Sequence, residues 1–124
     1  MDNKISDKLN SILSLCKEEA ERLSYSEVMP EHLLLGMIRD GSNKAVELVA
    51  GMGVDLNELR YKLETSQSGQ DIRTDKVPIE RIALSVIVTR LLKISMLEAR
   101  LQHKEEADAE HLLPVLHEEA VPPP

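Results

Sequence analysis

Two tetrapeptides, Glu31-His32-Leu33-Leu34 and Glu110-His111-Leu112-Leu113, set a carboxylate beside an imidazole and are the parts of this 124-residue chain best equipped for chemistry. A carboxylate in the first turn of a helix meets the positive end of the helix dipole. An imidazole can cap, pack, carry a proton or bind a metal. Metal binding needs further ligands at suitable spacing, and the sequence offers no H-E-x-x-H, while His111 and His117 stand six apart. Both histidines are therefore expected to cap or pack at helix starts, with no metal site. The one cysteine, Cys16, cannot form an internal disulfide, has no basic partner nearby in sequence, and falls in an apolar stripe, so it reads as a packing residue. A reducing compartment fits that usage. No G-x-x-x-x-G-K-[ST] run occurs, so ATP is not held by that route. These residues suit recognition, and neither a catalytic nor a cofactor-binding residue is expected.

The elements that must position them read as helices. From Ser6 to about Ser24, Leu9, Ile12, Leu13, Cys16, Ala20 and Leu23 recur at three- and four-residue steps, with Ser6 as N-cap and Asp7 in the first turn. A loop runs from Ser24 to Met29. Pro30 then suits the first position of a short helix, Glu31 to Arg39, stopped by Asp40-Gly41. Ser42 is the expected cap of a third helix carrying Ala45, Val46, Leu48, Val49 and Met52, and Asp55 with Glu58 predicts a capping box opening a fourth through Leu56, Leu59 and Leu63. Ser66 to Lys76 lacks apolar periodicity and reads as a surface loop. After Pro78 a long helical stretch is expected with Leu84, Val88, Leu91, Leu92, Met96 and Ala99 on one side, and another short helix from near Ala109 towards His117. Val121-Pro122-Pro123-Pro124 cannot continue a helix.

The two tetrapeptides are 79 residues apart, and the same offset pairs Ser6 with Ser85, Leu9 with Val88, Ile12 with Leu91, Leu13 with Leu92, Glu19 with Glu98 and Ala20 with Ala99. Both stripes stay in register. That spacing exceeds the usual solenoid repeat and implies one all-α, pseudo-two-fold bundle of two related four-helix repeats. The expected layout is one domain over residues 1–121, with repeat one at about 5–65, a linker at 66–78, repeat two at about 79–119, and a Pro-rich tail over 120–124. Counterparts of the third and fourth helices are not found after the second tetrapeptide. Either the chain is truncated there or the second repeat is abbreviated; if it is truncated, Leu112, Leu113, Val115 and Leu116 are expected to lack part of their packing.

Composition excludes several functional classes. A hydrophobic content of 42% supports one core, and the absence of Phe and Trp favours interlocking aliphatic helices. A formal charge of −7 repels phosphate backbones, and the shortage of aromatics removes stacking platforms, so nucleic acid is not an expected partner. No run is long enough to span a membrane, and the N-terminus lacks a signal-peptide pattern; a cytoplasmic protein is expected. The acidic face of Glu18, Glu19 and Glu21 reads as solvated, with attraction of basic adaptor segments a secondary possibility resting on net charge.

The runs KEEAERL, PEHLLLGMIRDG and GVDLNELR in the first half, and MLEARLQHKEEADAEHLL in the second, resemble the N-terminal repeat domain of Clp-type AAA+ unfoldases, most closely the ClpC branch. The resemblance covers nearly the whole chain. It implies a domain placed ahead of ring-forming ATPase modules, which bind ATP and Mg beyond Pro124 and pass substrates to a Clp peptidase, while the N-terminal domain binds adaptor proteins and protein substrates. The isolated domain is expected to be a monomer. Some members of that branch recognise phosphorylated arginine, the Glu of each Glu-His-Leu-Leu contacting the guanidinium; Glu31 and Glu110 match that position. Many relatives carry Gly-Thr before Glu-His, where this chain has Met29-Pro30 and Asp108-Ala109. Both threonine hydroxyls are lost, and Pro30 also lacks an amide donor for phosphate. The alternative is a free-standing helical interaction module, acting as adaptor, decoy or regulator without a motor.

Overall fold

A computed structural model describes residues 4–65 and 78–113. In chain order the first half forms β1 (Lys4–Ile5), α1 (Asp7–Arg22), β2 (Glu27–Val28), α2 (Pro30–Asp40), α3 (Lys44–Gly51) and α4 (Leu56–Thr65). The second half forms a 3-10 turn (Ile79–Arg81), β3 (Ala83–Leu84), α5 (Val86–Leu101) and β4 (Glu106–Ala107), and residues 109–113 open a further helix, α6.

The fold is the expected helical bundle in two related halves, and the internal offset holds at the level of single hydrogen bonds. Ser6 caps α1 by accepting the Leu9 amide at 3.0 Å, and Ser85 caps α5 by accepting the Val88 amide at 3.2 Å. At the far ends the Ser24 amide donates to Glu21 and the His103 amide to Arg100. Ser24 and His103 both take the left-handed conformation, at φ 65° and 62°. Neither is glycine, so these helix ends carried no obvious sequence signal.

Four very short strands, which helical periodicity did not reveal, join the halves. β1 pairs in parallel with β4, and β2 with β3. Each half's leading strand thus lies beside the other half's strand ahead of Glu-His-Leu-Leu. The pairing continues into the caps: the Ser6 amide donates to the Ala107 carbonyl at 2.8 Å and the Ser85 amide to the Val28 carbonyl at 3.1 Å. One serine in each half ends a strand and starts a helix. The expected continuous helix after Pro78 is corrected accordingly, because a 3-10 turn and β3 precede α5.

The core is built from the predicted stripes. Leu9, Ile12, Cys16 and Ala20 of α1 are fully buried with Leu33 and Met37 of α2, and Val88, Leu91 and Ala99 of α5 with Leu112 of α6. Each such Leu or Ile contributes about 1.5–3 kcal/mol by leaving water. Leu13, Leu23, Leu84 and Met96 are half-buried at its margin. Helices α1 and α2 approach closely at Gly36, where an added Cβ would lie 2.3 Å from Cys16 Sγ and 3.1 Å from the Ile12 carbonyl oxygen. Helix α2 ends as predicted at Gly41, which takes φ 74° and donates its amide to Met37.

Two further expectations are corrected. The cap of α3 is Asn43, whose side-chain oxygen accepts the Val46 amide at 2.9 Å while its amide group donates to Met37 and Asp40; Ser42 faces Lys8 instead. Leu112 does not lack packing, being fully buried, and Leu113 is half-buried among Leu34, Met37, Val46 and Leu56. The Asp55 cap of α4 appears as predicted, accepting the Asn57 and Glu58 amides. The surface loop at 66–76, the packing of Val115 and Leu116, the run towards His117 and the Pro-rich tail lie outside the described residues, as do the positions where the second repeat was expected to stop.

Candidate functional site

Each Glu-His-Leu-Leu begins a helix directly after one of the crossed strands. In the first, Pro30 occupies the opening turn of α2, Glu31 follows half-buried, and His32 is fully buried. The Met29 amide donates to His32 Nδ1 at 2.8 Å, and the His32 amide donates to the Met29 carbonyl at 2.9 Å. The second copy repeats this: the Asp108 amide donates to His111 Nδ1 at 2.8 Å and the His111 amide to the Asp108 carbonyl at 2.9 Å. The histidine at the third helical position thus reaches back to the cap residue, the role a Glu or Gln fills in a capping box. Both leucine pairs divide alike, Leu33 and Leu112 fully buried, Leu34 and Leu113 half-buried. The histidines are structural caps, as their sequence positions predicted.

The copies differ in what surrounds the imidazole. His111 Nε2 lies 3.1 Å from Gln102 Oε1, whereas His32 Nε2 is buried without a hydrogen-bond partner and its ring meets Tyr25 edge-on at 4.6 Å between centroids. Because Nδ1 accepts a backbone N–H in both, the neutral ring carries its proton on Nε2. Burial pushes the His32 pKa down from its ordinary value, against the opposing pull of Glu31 and Glu19.

Asp108 gives the second start an acceptor that Met29 cannot supply. Its Oδ1 takes the Ala109 amide at 2.8 Å and the Ser6 hydroxyl at 2.9 Å, tying the first half's cap to the second half's site. Next to it, Glu110 is half-buried, and its Oε1 is a buried atom with no hydrogen-bond partner. A carboxylate oxygen in that state is open to a cationic donor. Glu31 and Glu110 occupy equivalent positions after β2 and β4, which pair with different strands. They form two starts, not one constellation.

A groove lies elsewhere among the described residues. It has a volume of about 900 Å³ between α1, α2, α4 and the 3-10 turn, is lined by Glu18, Glu19, Arg22, Arg39 and Glu64 among others, and includes neither Glu31 nor Glu110. Its chemistry corrects the reading of Glu19 as solvated. The Glu19 carboxylate is buried, taking Arg22 at 2.6 Å and Arg39 at 3.5 Å, while Arg22 also bonds Glu64 and Arg39 bonds Glu18. This network was not legible in the sequence, although the three-residue spacing of Glu19 and Arg22 was its one local sign. Cys16 Sγ points to the Leu33 carbonyl at 3.9 Å, and burial, with a smaller push from Glu19, raises its pKa to about 12, so a thiolate nucleophile is out of reach.

This fold is similar to that of solved N-terminal domains of Clp-type ATPases. This chain belongs to the Clp repeat (R) N-terminal domain family, which it matches over residues 4–121. It is 30% identical over 114 residues to chaperone protein ClpC1, chloroplastic, of Oryza sativa subsp. japonica, covering 91% of this chain and 12% of that one. It is 26% identical over 113 residues to chaperone protein ClpB of Oceanobacillus iheyensis, covering 91% and 13%. The chain thus spans about one-eighth of the length of these relatives. In fold it is similar to the N-terminal domain of the ClpV1 ATPase from E. coli, with a TM-score of 0.75 at 22% identity over 93% of this chain and 68% of that one. No helix among the described residues is long and apolar enough to cross a membrane.

Proposed function

We propose that this chain is the docking domain of a ClpC-like ATP-dependent protein unfoldase in the cytoplasm, one that receives adaptor proteins and protein substrates for a Clp peptidase. Glu31 and Glu110 are its recognition carboxylates, and each accepts a cationic side chain, foremost the planar guanidinium of an arginine. The observation that supports this reading is the buried, unpartnered Oε1 of Glu110 beside a histidine and an aspartate whose own bonds are already made. A carboxylate with no role beyond the helix dipole would turn that oxygen to water. The phosphate of a phosphoarginine finds less support, since Pro30 has no amide and the Ala109 amide is committed to Asp108.

The test is a titration with an arginine-phosphorylated peptide, its unphosphorylated counterpart and a cognate adaptor, using the parent chain, Glu31→Ala and Glu110→Ala. Glu110→Ala should weaken adaptor or peptide binding at least about tenfold, or roughly 1.4 kcal/mol. Unchanged affinities for every ligand in both variants overturn the site assignment.

A further inference from the structure

The two Glu-His-Leu-Leu starts differ by one charge, and that charge sits where two helices begin. Asp108 Oδ1 accepts the Ala109 amide at 2.8 Å, at the opening of α6, and the Ser6 hydroxyl at 2.9 Å, at the cap of the 16-residue α1. The first turn of a helix carries a partial positive charge that favours an anion and opposes a cation. Here the chain supplies the anion itself. Glu110, two residues on, keeps a buried Oε1 with no hydrogen-bond partner. At the first start the internal offset puts Met29 in the place of Asp108 and Pro30 in that of Ala109, while Ser85, the twin of Ser6, caps α5. An apolar side chain thus stands at the position of the carboxylate.

We propose that Asp108 is the specificity-determining residue of the second start, restricting it to a bare cationic side chain, an unmodified arginine foremost, and turning away one that carries an anionic group such as phosphate. Its carboxylate acts in three ways. It engages the Ala109 amide and the Ser6 hydroxyl, the donors that an incoming anion needs. Held in place by those bonds, it repels that anion at short range. It also offsets the helix field that opposes a cation, so a guanidinium reaches Glu110 without that opposition. At the first start Met29 supplies neither the repulsion nor the offsetting charge. Glu31 is accordingly the weaker and less selective receptor for arginine.

This assignment rests on the docking reading, since it gives a ligand class to the Glu110 site of that reading. The experiment uses the 124-residue chain carrying Glu31→Ala, so that only the second start is read, and one peptide in two forms, with arginine or phosphoarginine at the same position. Anisotropy should show the arginine form bound at least about tenfold more tightly. Asp108→Asn keeps a side-chain oxygen for Ser6 and Ala109 while removing the charge, and should shrink the ratio of the two affinities at least about fivefold. A loss of structure lowers both affinities together, so the ratio separates selection from a merely structural role. Met29→Asp in the Glu110→Ala chain transplants the charge and should raise the ratio at the first start at least about threefold. Equal affinity for the two forms in the Glu31→Ala chain, or a ratio that Asp108→Asn and Met29→Asp both leave unchanged, overturns the proposal and leaves the docking reading intact. Absence of binding by both forms in the Glu31→Ala chain overturns the docking role of Glu110 and the proposal with it.

Discussion

His111 holds Gln102 at 3.1 Å through Nε2, while at its twin, His32, the corresponding nitrogen is buried with no partner because Leu23 stands in the place of Gln102. The two caps share their backbone bonds, and the partner of Nε2 differs through one side chain, Gln102 against Leu23. A buried donor left unpaired costs about 1–3 kcal/mol. Leu23→Gln is therefore expected to raise stability by about 1 kcal/mol, and Gln102→Leu to lower it by about 1–3 kcal/mol, both read from urea unfolding midpoints at constant slope. Opposite signs for the two changes are the expected signature; equal signs would show that the acceptor is immaterial.

His32 also sets a pH dependence. Burial lowers its folded pKa below the ordinary 6.5, so the unfolded chain takes up a proton that the native state refuses. Stability is then complete above about pH 6.5 and falls as the pH drops below it, the loss ending once the lowered folded value is passed. Protonation in the native state would also cost Nδ1 its bond from the Met29 amide. Thermal unfolding between pH 7.5 and 5 should show a falling midpoint, and His32→Asn should flatten that fall while lowering the midpoint throughout. A midpoint indifferent to pH in the parent chain would refute the linkage.

Gly36 and Cys16 form a coupled pair across α1 and α2. Gly36→Ala should cost about 1–3 kcal/mol by overpacking, since its Cβ would meet Sγ at 2.3 Å. Adding Cys16→Ala should recover part of that loss, giving a favourable coupling in a double-mutant cycle. With its pKa near 12 and its side chain fully buried, Cys16 should react with an aromatic disulfide reagent only as fast as the chain opens. Rapid labelling of the native protein would contradict this packing.

The left-handed residues Ser24 and His103 offer a gain in stability. Each ends its helix at positive φ without the freedom of glycine. Ser24→Gly and His103→Gly should each stabilise by about 0.5–1 kcal/mol, and by similar amounts, because the two ends share their backbone bonds. Calorimetric melting of the two single variants and the double tests both magnitude and additivity.

Much of the bundle was legible in the sequence because the signals that encode it are local. Ser6, Asp55 and Gly41 act at the positions their types predict, and the stripe of Leu9, Ile12, Cys16 and Ala20 is the stripe that is buried. The strands were hidden because two residues show no alternation, and because their partners are remote, Lys4 with Glu106 and Glu27 with Ala83. The cap of α3 was misplaced by one residue since Ser42 and Asn43 are both good caps, and burial of Asn43 against Met37 decides between them. At the candidate site the carboxylates and histidine caps followed from position, while the roles of Gln102, Ser6 and the buried Glu19 depend on tertiary contacts that no spacing records.

The crossed strands carry a consequence for ancestry and assembly. A single half owns both kinds of strand, the one that leads its first helix and the one that leads its Glu-His-Leu-Leu, but in this fold each finds its partner only in the other half. Two separate copies of one half, brought together about a two-fold axis, would regenerate both pairs at once. The chain is thus built like a strand-exchanged homodimer whose subunits were fused end to end. Within that shared frame the halves differ in detail, His32 Nε2 lacking a partner where His111 Nε2 meets Gln102.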